Sequence, residues 1–212
     1  MSDGYSARWR AVFGSVNAAR TAADISFLLR VLPLPEFRRV LDVPSGEGRL
    51  VRALGECGYD VTGVDRNAEL SPTLVRDLRE LDGVPEDYDA VINMWASFGY
   101  FDTAENERVL GSFARRLRRR GRLVLDLHNR AFFEARQGAR EIRPGIMERS
   151  TVVGGRRHCE LDYGDGTVDT FEWQLYRPEE LQTLAARHGL APVLTVAAEE
   201  APSMQLVFER VA

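Results

Sequence analysis

Two carboxylates and two glycines near the start of the chain have the types and spacing to hold a polar ligand. Asp42 stands in the apolar run of Val40, Leu41 and Val43, and Pro44, Ser45, Gly46 and Gly48 make a turn directly after it. Without Cβ atoms, Gly46 and Gly48 let a ligand lie close to main-chain N–H groups and to the N-terminus of the following helix. Asp65 comes 17 positions after Gly48, at the end of a second apolar segment. A carboxylate so placed accepts hydrogen bonds from the two hydroxyls of a ribose.

That chemistry needs a strand ending at the turn and a helix leaving it. The apolar run is short and flanked by a basic pair, which suits a buried parallel strand. The spacing predicts a helix over 48–57, with Leu50, Val51 and Leu54 on one face and Gly58 as its stop. A second strand is expected over 59–64. The dinucleotide fingerprint wants a third small residue where Val51 stands, so a nucleoside ligand without a pyrophosphate fits better.

The strings D-V-P-S-G-E-G and V-T-G-V-D resemble motifs I and II of the class I S-adenosylmethionine-dependent methyltransferases. The family usually has glycine at the position of Pro44 and often cysteine at that of Ser45. The resemblance runs from about Arg20 to the C-terminus and is nearest to small-molecule enzymes, including N-methyltransferases acting on nucleotide-linked sugars. It implies an α/β, Rossmann-like seven-stranded sheet, mostly parallel with the last strand antiparallel, flanked by helices. S-adenosyl-L-methionine is the implied cofactor. The cofactor-binding residues it implies are Arg20, Asp42, Ser45, Gly46, Gly48, Asp65, Arg66, Asp77, Leu78, Asn93 and Trp95. Among these, Arg20 is read as a fork for the methionyl carboxylate, and Asp77 with Leu78 as the adenine contact.

Composition bounds the reading. With 212 residues and 44% hydrophobic content the chain can build one well-cored domain. A net charge of −4 argues against a broad electrostatic footprint for nucleic acid or an anionic membrane. Lysine is absent, and arginine carries all 28 positive charges. The opening residues lack the apolar segment of a signal peptide, and the two cysteines, Cys57 and Cys159, give neither a disulfide framework nor metal spacing. A cytoplasmic protein with no metal is the expectation.

In chain order, Tyr5, Trp9 and Phe13 fall four apart, as on one helical face. A helix over 15–32 follows, stopped by Pro33 and Pro35, and residues 1–35 read as a helical cover. After Asp65 only residues 66–72 precede the next apolar stretch, too few for a crossover helix, so one sheet face is expected to be thinly covered. A fourth strand over 90–94 leads into Ser97-Phe98-Gly99-Tyr100-Phe101, and Asp102 with Glu105 makes a capping box for a helix reaching Arg119, closed by Gly121. The fifth strand is expected over 123–127, followed by His128 and Asn129.

Residues 146–176 read as an antiparallel insertion turning at Gly154-Gly155 and Gly164-Asp165-Gly166, either an acceptor cap or a homodimer contact. His158, Glu172 and Trp173 are its specificity candidates. A helix over 178–188 and strands over 191–197 and 204–211 complete the expected sheet.

Direct methyl transfer to a nitrogen or oxygen of a small molecule is the activity implied. Alignment of the two reactants in near-attack contact supplies on the order of 7 to 11 kcal/mol. Tyr100 is a candidate to orient the nucleophile or take its proton, and His128 a candidate general base. The fourth strand lacks the Asn/Asp-Pro-Pro-aromatic pattern of the base-methylating relatives, so the methyl acceptor is not expected to be nucleic acid. Two other readings share parts of the pattern. One is an NAD-dependent oxidoreductase, the other a non-catalytic S-adenosylmethionine-binding regulator or partner subunit.

Overall fold

The computed structural model describes residues 6–13, 18–70 and 73–211. Tyr5 and the first residues of the helix expected over 15–32 lie outside them. In chain order the elements are α1 (Ala7–Phe13), α2 (Ala18–Val31), β1 (Arg39–Asp42), α3 (Arg49–Glu56), β2 (Asp60–Asp65), β3 (Leu74–Val75), β4 (Tyr88–Asn93), α4 (Thr103–Arg116) and β5 (Leu117–His128). They continue with α5 (Arg130–Glu134), β6 (Gly138–Arg143), β7 (Ile146–Val153), β8 (Arg156–Asp162), β9 (Val168–Gln174), α6 (Pro178–Ala186), β10 (Leu190–Val196) and β11 (Ser203–Arg210).

The main sheet has seven strands in the order β10-β11-β5-β4-β1-β2-β3. Strands β1 to β5 pair in parallel, whereas β11 lies antiparallel between β5 and β10. The parallel strands are short apolar runs because both of their faces are covered. On one face Phe27 and Leu28 of α2 and Leu32 just after it pack with Leu50 and Leu54 of α3 over Val40, Ile92 and Val124. On the other, Val109, Leu110 and Phe113 of α4 and Leu181 and Ala185 of α6 pack over Leu41, Val91, Leu123 and Leu125. Between β2 and β3 the described chain has only one 3₁₀ turn, Ala68–Leu70, so the thin cover expected there is present.

A second sheet, β6-β7-β8-β9, is antiparallel throughout and forms the insertion. It begins earlier than residue 146, because β6 was not legible in the sequence. The strand is mostly exposed and carries no apolar alternation, and it is held to β7 by Arg140 bonding Glu148 at 2.8 Å. The inner face of this sheet buries Cys159, Leu161 and Trp173 against Phe133 of α5. Gly99 fastens the sheet to the main domain: its carbonyl accepts from the Gln174 N–H at 2.7 Å, and a Cβ there would lie 2.5 Å from the Gln174 carbonyl oxygen.

The stretch 117–121 corrects the expected helix end. α4 stops at Arg116, and Leu117 is already extended, with φ −82° and ψ 141°. Strand β5 therefore starts well before residue 123. Arg118 is drawn to Asp89 at 2.5 Å and to the Glu36 carbonyl at 2.8 Å, both from distant sequence. Gly121 does not close a helix; a Cβ there would meet the Arg118 carbonyl at 2.9 Å.

Candidate active site

The ends of β1, β2 and β4 meet at one edge of the sheet, where ligands sit in open α/β folds. Val43 N–H bonds the Ile92 carbonyl at 3.0 Å, and Ser45 N–H the Val64 carbonyl at 2.8 Å, so the glycine turn is pinned between its neighbours. Positive φ falls at Gly46 (52°) and Gly48 (70°), not at Pro44. Gly63 lets the turn approach β2, since a Cβ there would lie 2.9 Å from Ser45 Oγ.

Asp65 is buried at the end of β2 and accepts the Gly46 N–H on one oxygen and the Asn67 N–H on the other, each at 2.9 Å. A carboxylate has about four lone-pair sites. One site on each oxygen therefore remains for a diol. Asp42 is buried too, and burial with the nearby Asp65 charge pushes it up to about 8 against the pull of Arg49.

These groups line a cleft of about 1790 Å³. Of the residues expected at the site, Asp42, Ser45, Gly46, Asp65, Arg66, Asp77, Leu78, Trp95 and Tyr100 are on its wall. Gly48, Arg20, Asn93 and His128 are not. Gly48 is the left-handed N-cap of α3, and Asn93 holds the turn from behind, its amide donating to the Val43 carbonyl at 2.7 Å. Asp77 is bound by both Nε and Nη2 of Arg79, at 3.0 and 2.9 Å, which holds its carboxyl below the usual range.

Arg20 is gripped by two buried carboxylates, with Nε on Asp24 at 2.8 Å and Nη2 on Asp126 at 2.6 Å. Among the cations that line the cleft, Arg49 lies nearest in sequence to the glycine turn. Its Nη2 bonds Asp24 at 2.8 Å, while its buried Nη1 has no partner. Sequence reasoning missed it, although a signal existed: a cation in the first turn of a helix opposes the macrodipole and needs another reason to be there.

The opposite wall belongs to the insertion and to α1. Tyr100 faces Trp173 at 6.4 Å between ring centroids, and Phe171 stacks on Trp173 at 5.4 Å. Trp9 of α1 reaches Trp95 at 6.3 Å, and α1 is tied to the insertion by Ser6 on Asp169 and Arg8 on Asp165. His158 and Glu172 also line the cleft, where they pair with each other at 2.9 Å with both side chains about half exposed. His128 lies behind the wall, edge-on to both Phe133 and Trp173 at 5.1 Å. Burial and the neighbouring Arg157 charge push its imidazole down to about 3, so it is neutral at physiological pH. Arg157 itself is buried beneath Phe133, bonding Glu148 and Ser150 at 2.9 Å.

The profile of the methyltransferase-domain family matches residues 16–195. The chain belongs to the class I S-adenosylmethionine-dependent methyltransferase domains. Yqem-type similarity is partial: the Bacillus subtilis (strain 168) protein YqeM, provisionally described as a methyltransferase, is 32% identical over 110 residues. That match spans 45% of this chain and 44% of the relative, so less than half of the relative's length is represented. Two solved structures share the fold over nearly the whole chain. An S-adenosylmethionine-dependent methyltransferase from Clostridium acetobutylicum ATCC 824 superposes with a TM-score of 0.74 at 13% identity, covering 96% of both chains. CalS10, an amino pentose methyltransferase from Micromonospora echinaspora involved in calicheamicin biosynthesis, gives 0.72 at 20% identity over 100% of both chains.

Buried polar atoms surround the glycine turn of this methyltransferase domain. Ser45 Oγ, Arg49 Nη1 and Asn93 Oδ1 are buried around the glycine turn without hydrogen-bond partners in the chain, and such atoms are free to meet a ligand or ordered water. No helix among the described residues is long and apolar enough to cross a membrane.

Proposed function

We propose that this domain transfers a methyl group from S-adenosylmethionine to a nitrogen or oxygen of a small molecule. One observation supports this most: the strand-end cleft with its orphaned polar atoms runs without a break onto the aromatic wall of Tyr100, Phe171 and Trp173. Drug-sized ligands occupy about 300 to 1,000 Å³, and a cleft of about 1790 Å³ has room for two molecules side by side.

When bound, the cofactor supplies an activated methyl on a sulfonium. In this reading Asp65 holds the ribose diol, Arg49 the methionyl carboxylate, and Leu78 a face of the adenine. That methyl would pass to the acceptor's lone pair as the carbon–sulfur bond breaks, leaving S-adenosylhomocysteine. The acceptor's proton leaves to water. Tyr100, at the junction of the two walls, orients the nucleophile, and His128 shapes the wall from behind through Trp173. An acceptor that fits between aromatic rings in a net acidic domain is a small molecule and not a nucleic acid strand. The amino pentose handled by CalS10 makes amino sugars the first class to try.

The test is incubation of the purified protein with S-adenosylmethionine and a panel of amines, phenols and amino-sugar nucleotides. Methylated product with stoichiometric S-adenosylhomocysteine is expected. Tight cofactor binding with no turnover on any acceptor would favour a silent partner subunit, and binding of NAD in place of S-adenosylmethionine would overturn the reading.

A further inference from the structure

Asp126 belongs to no recognised motif and lies off the cleft wall, yet three elements converge on it. It sits near the end of β5 and is 1% exposed. One carboxylate oxygen, Oδ2, accepts both the Trp95 N–H at 3.1 Å and Arg20 Nη2 at 2.6 Å. Its main-chain carbonyl accepts the Ala96 N–H at 2.8 Å. The other carboxylate oxygen is buried without a partner.

The turn it holds is unusual. Trp95 and Ala96 both have positive φ, 63° and 56°, in succession and without glycine. Such residues persist only where the surroundings over-determine them, and they gather at functional sites. Asp126 supplies a bond to each. The turn carries the Trp95 indole, 41% exposed, onto the cleft wall, where Trp9 of α1 meets it.

From the same carboxylate an alternating chain of charges runs the other way. Asp126 holds Arg20 of α2, Arg20 holds Asp24, and Asp24 holds Arg49 beside the glycine turn. We propose that Asp126 is a positioning residue that makes the Trp95 turn, the start of α2 and Arg49 a single unit around the methionine end of the cofactor. This rests on the cleft being the S-adenosylmethionine site. The charge of Asp126 is what joins the parts, because a neutral group at that place can still receive the Trp95 N–H but cannot hold the guanidinium.

Asp126 titrates inside the working range, since burial pushes it up to about 6 against the pull of Arg20. From the elements packed on it, α2 contributes Arg20 and Asp24, the segment after β4 the Trp95 N–H, and β11 the uncharged Gln205 opposite it in register. Acid is therefore expected to uncouple the unit in the wild type as the amide does in the variant.

The experiment compares wild type, Asp126→Asn, Arg20→Gln and the double variant by calorimetric titration with S-adenosylhomocysteine. Each is also made in a Trp9→Phe, Trp173→Phe background, where the emission of Trp95 alone is read. Asp126→Asn is expected to weaken binding roughly tenfold at pH 7.5, to move the Trp95 emission, and to lose its difference from wild type below pH 6. Arg20→Gln is expected to do the same, with the double variant no worse than either single one. Additive losses in the double variant, or affinity, pH profile and Trp95 emission all unchanged in Asp126→Asn, would overturn the proposal. If Asp126→Asn does not fold, Arg20→Gln decides by the same pH profile and emission. A wild type that binds no S-adenosylhomocysteine would sink the cofactor reading, and the Trp95 emission would still decide whether Asp126 positions the turn.

Discussion

The two walls of the cleft are built on opposite principles. The cofactor wall is made of main chain, glycines and short acids at the ends of parallel strands. The Val43 and Ser45 N–H groups are fixed there by the Ile92 and Val64 carbonyls of adjacent strands, and Asp65 accepts the Gly46 N–H. The opposite wall is made of large side chains, Phe171 and Trp173 on the antiparallel sheet and Tyr100 from the segment after β4, backed by a buried arginine, Arg157. Backbone geometry is hard to change without losing the fold. Side chains on a sheet face change one at a time, since alternate residues share a face. In the proposed reading the first wall therefore preserves the cofactor, and the second can be re-shaped for a different acceptor.

The largest effect that would expose this contrast is on Asp65. Asp65→Ala removes two acceptor sites for a diol and frees the Gly46 N–H, and at about 1.5 to 3 kcal/mol for each charged hydrogen bond it should cost about 100-fold in S-adenosylhomocysteine affinity by calorimetry. Acceptor affinity, measured with a product-like competitor once the acceptor is known, should move far less. Equal losses for both ligands would mean that the walls are not independent.

On the other wall, Tyr100→Phe should lower kcat about tenfold while leaving S-adenosylhomocysteine affinity within a factor of two, because orientation of one nucleophile contributes roughly this much. Steady-state kinetics against calorimetry separates the two. A tenfold loss of cofactor affinity would place Tyr100 on the wrong wall. The joint between the walls is Gly99, and Gly99→Ala sets a methyl 2.5 Å from the Gln174 carbonyl at a φ of 107°. A stability loss of about 1 to 3 kcal/mol is expected in urea unfolding, with the insertion's amides exchanging first.

How far each wall could be read from sequence follows the same division. The runs around Val40 and over residues 90–92 are apolar on both faces, so they announce buried parallel strands, residues 59–64 do so only at their Gly63-Val64 end, and the turn between Asp42 and Gly48 marks the place where a ligand is expected. β6 announces nothing: Arg140, Glu141 and Arg143 leave it with no apolar face, and its place comes from pairing with β7. The arginine run 118–120 mimics a helix C-terminus locally, and only Asp89 and the Glu36 carbonyl, far away in the chain, draw it into a strand. Within the site, Asp126 had a legible signal, a charge inside the apolar run Leu123, Val124, Leu125 and Leu127, where an unpaired carboxylate costs too much to be idle. Its partner Arg20 was legible only as a cation on a helix, because two carboxylates from different elements decide where its guanidinium goes.

The smallest effects separate the walls by pH. Near neutrality His128 and Cys159 behind the opposite wall should be silent, since His128 is pushed down to about 3 and the buried Cys159 thiol up to about 11. The cofactor wall should titrate through Asp42, whose folded value of about 8 lies above its ordinary 3.8. Between those values the folded chain holds a proton that the unfolded chain has lost, so Asp42 makes stability fall as pH rises from about 4 to about 8. Asp42→Asn removes that fall. Its melting temperature should exceed wild type by about 2 to 4 °C at pH 8, and the difference should vanish toward pH 4. An ammonium group arriving beside Asp42 favours the charged form, so ligand binding at pH 7 should release a proton. Calorimetry in two buffers of different ionisation enthalpy reads that release directly, and it should be absent in Asp42→Asn and intact in His128→Ala. A proton released by the Asp42→Asn protein would move the titrating group elsewhere on the wall.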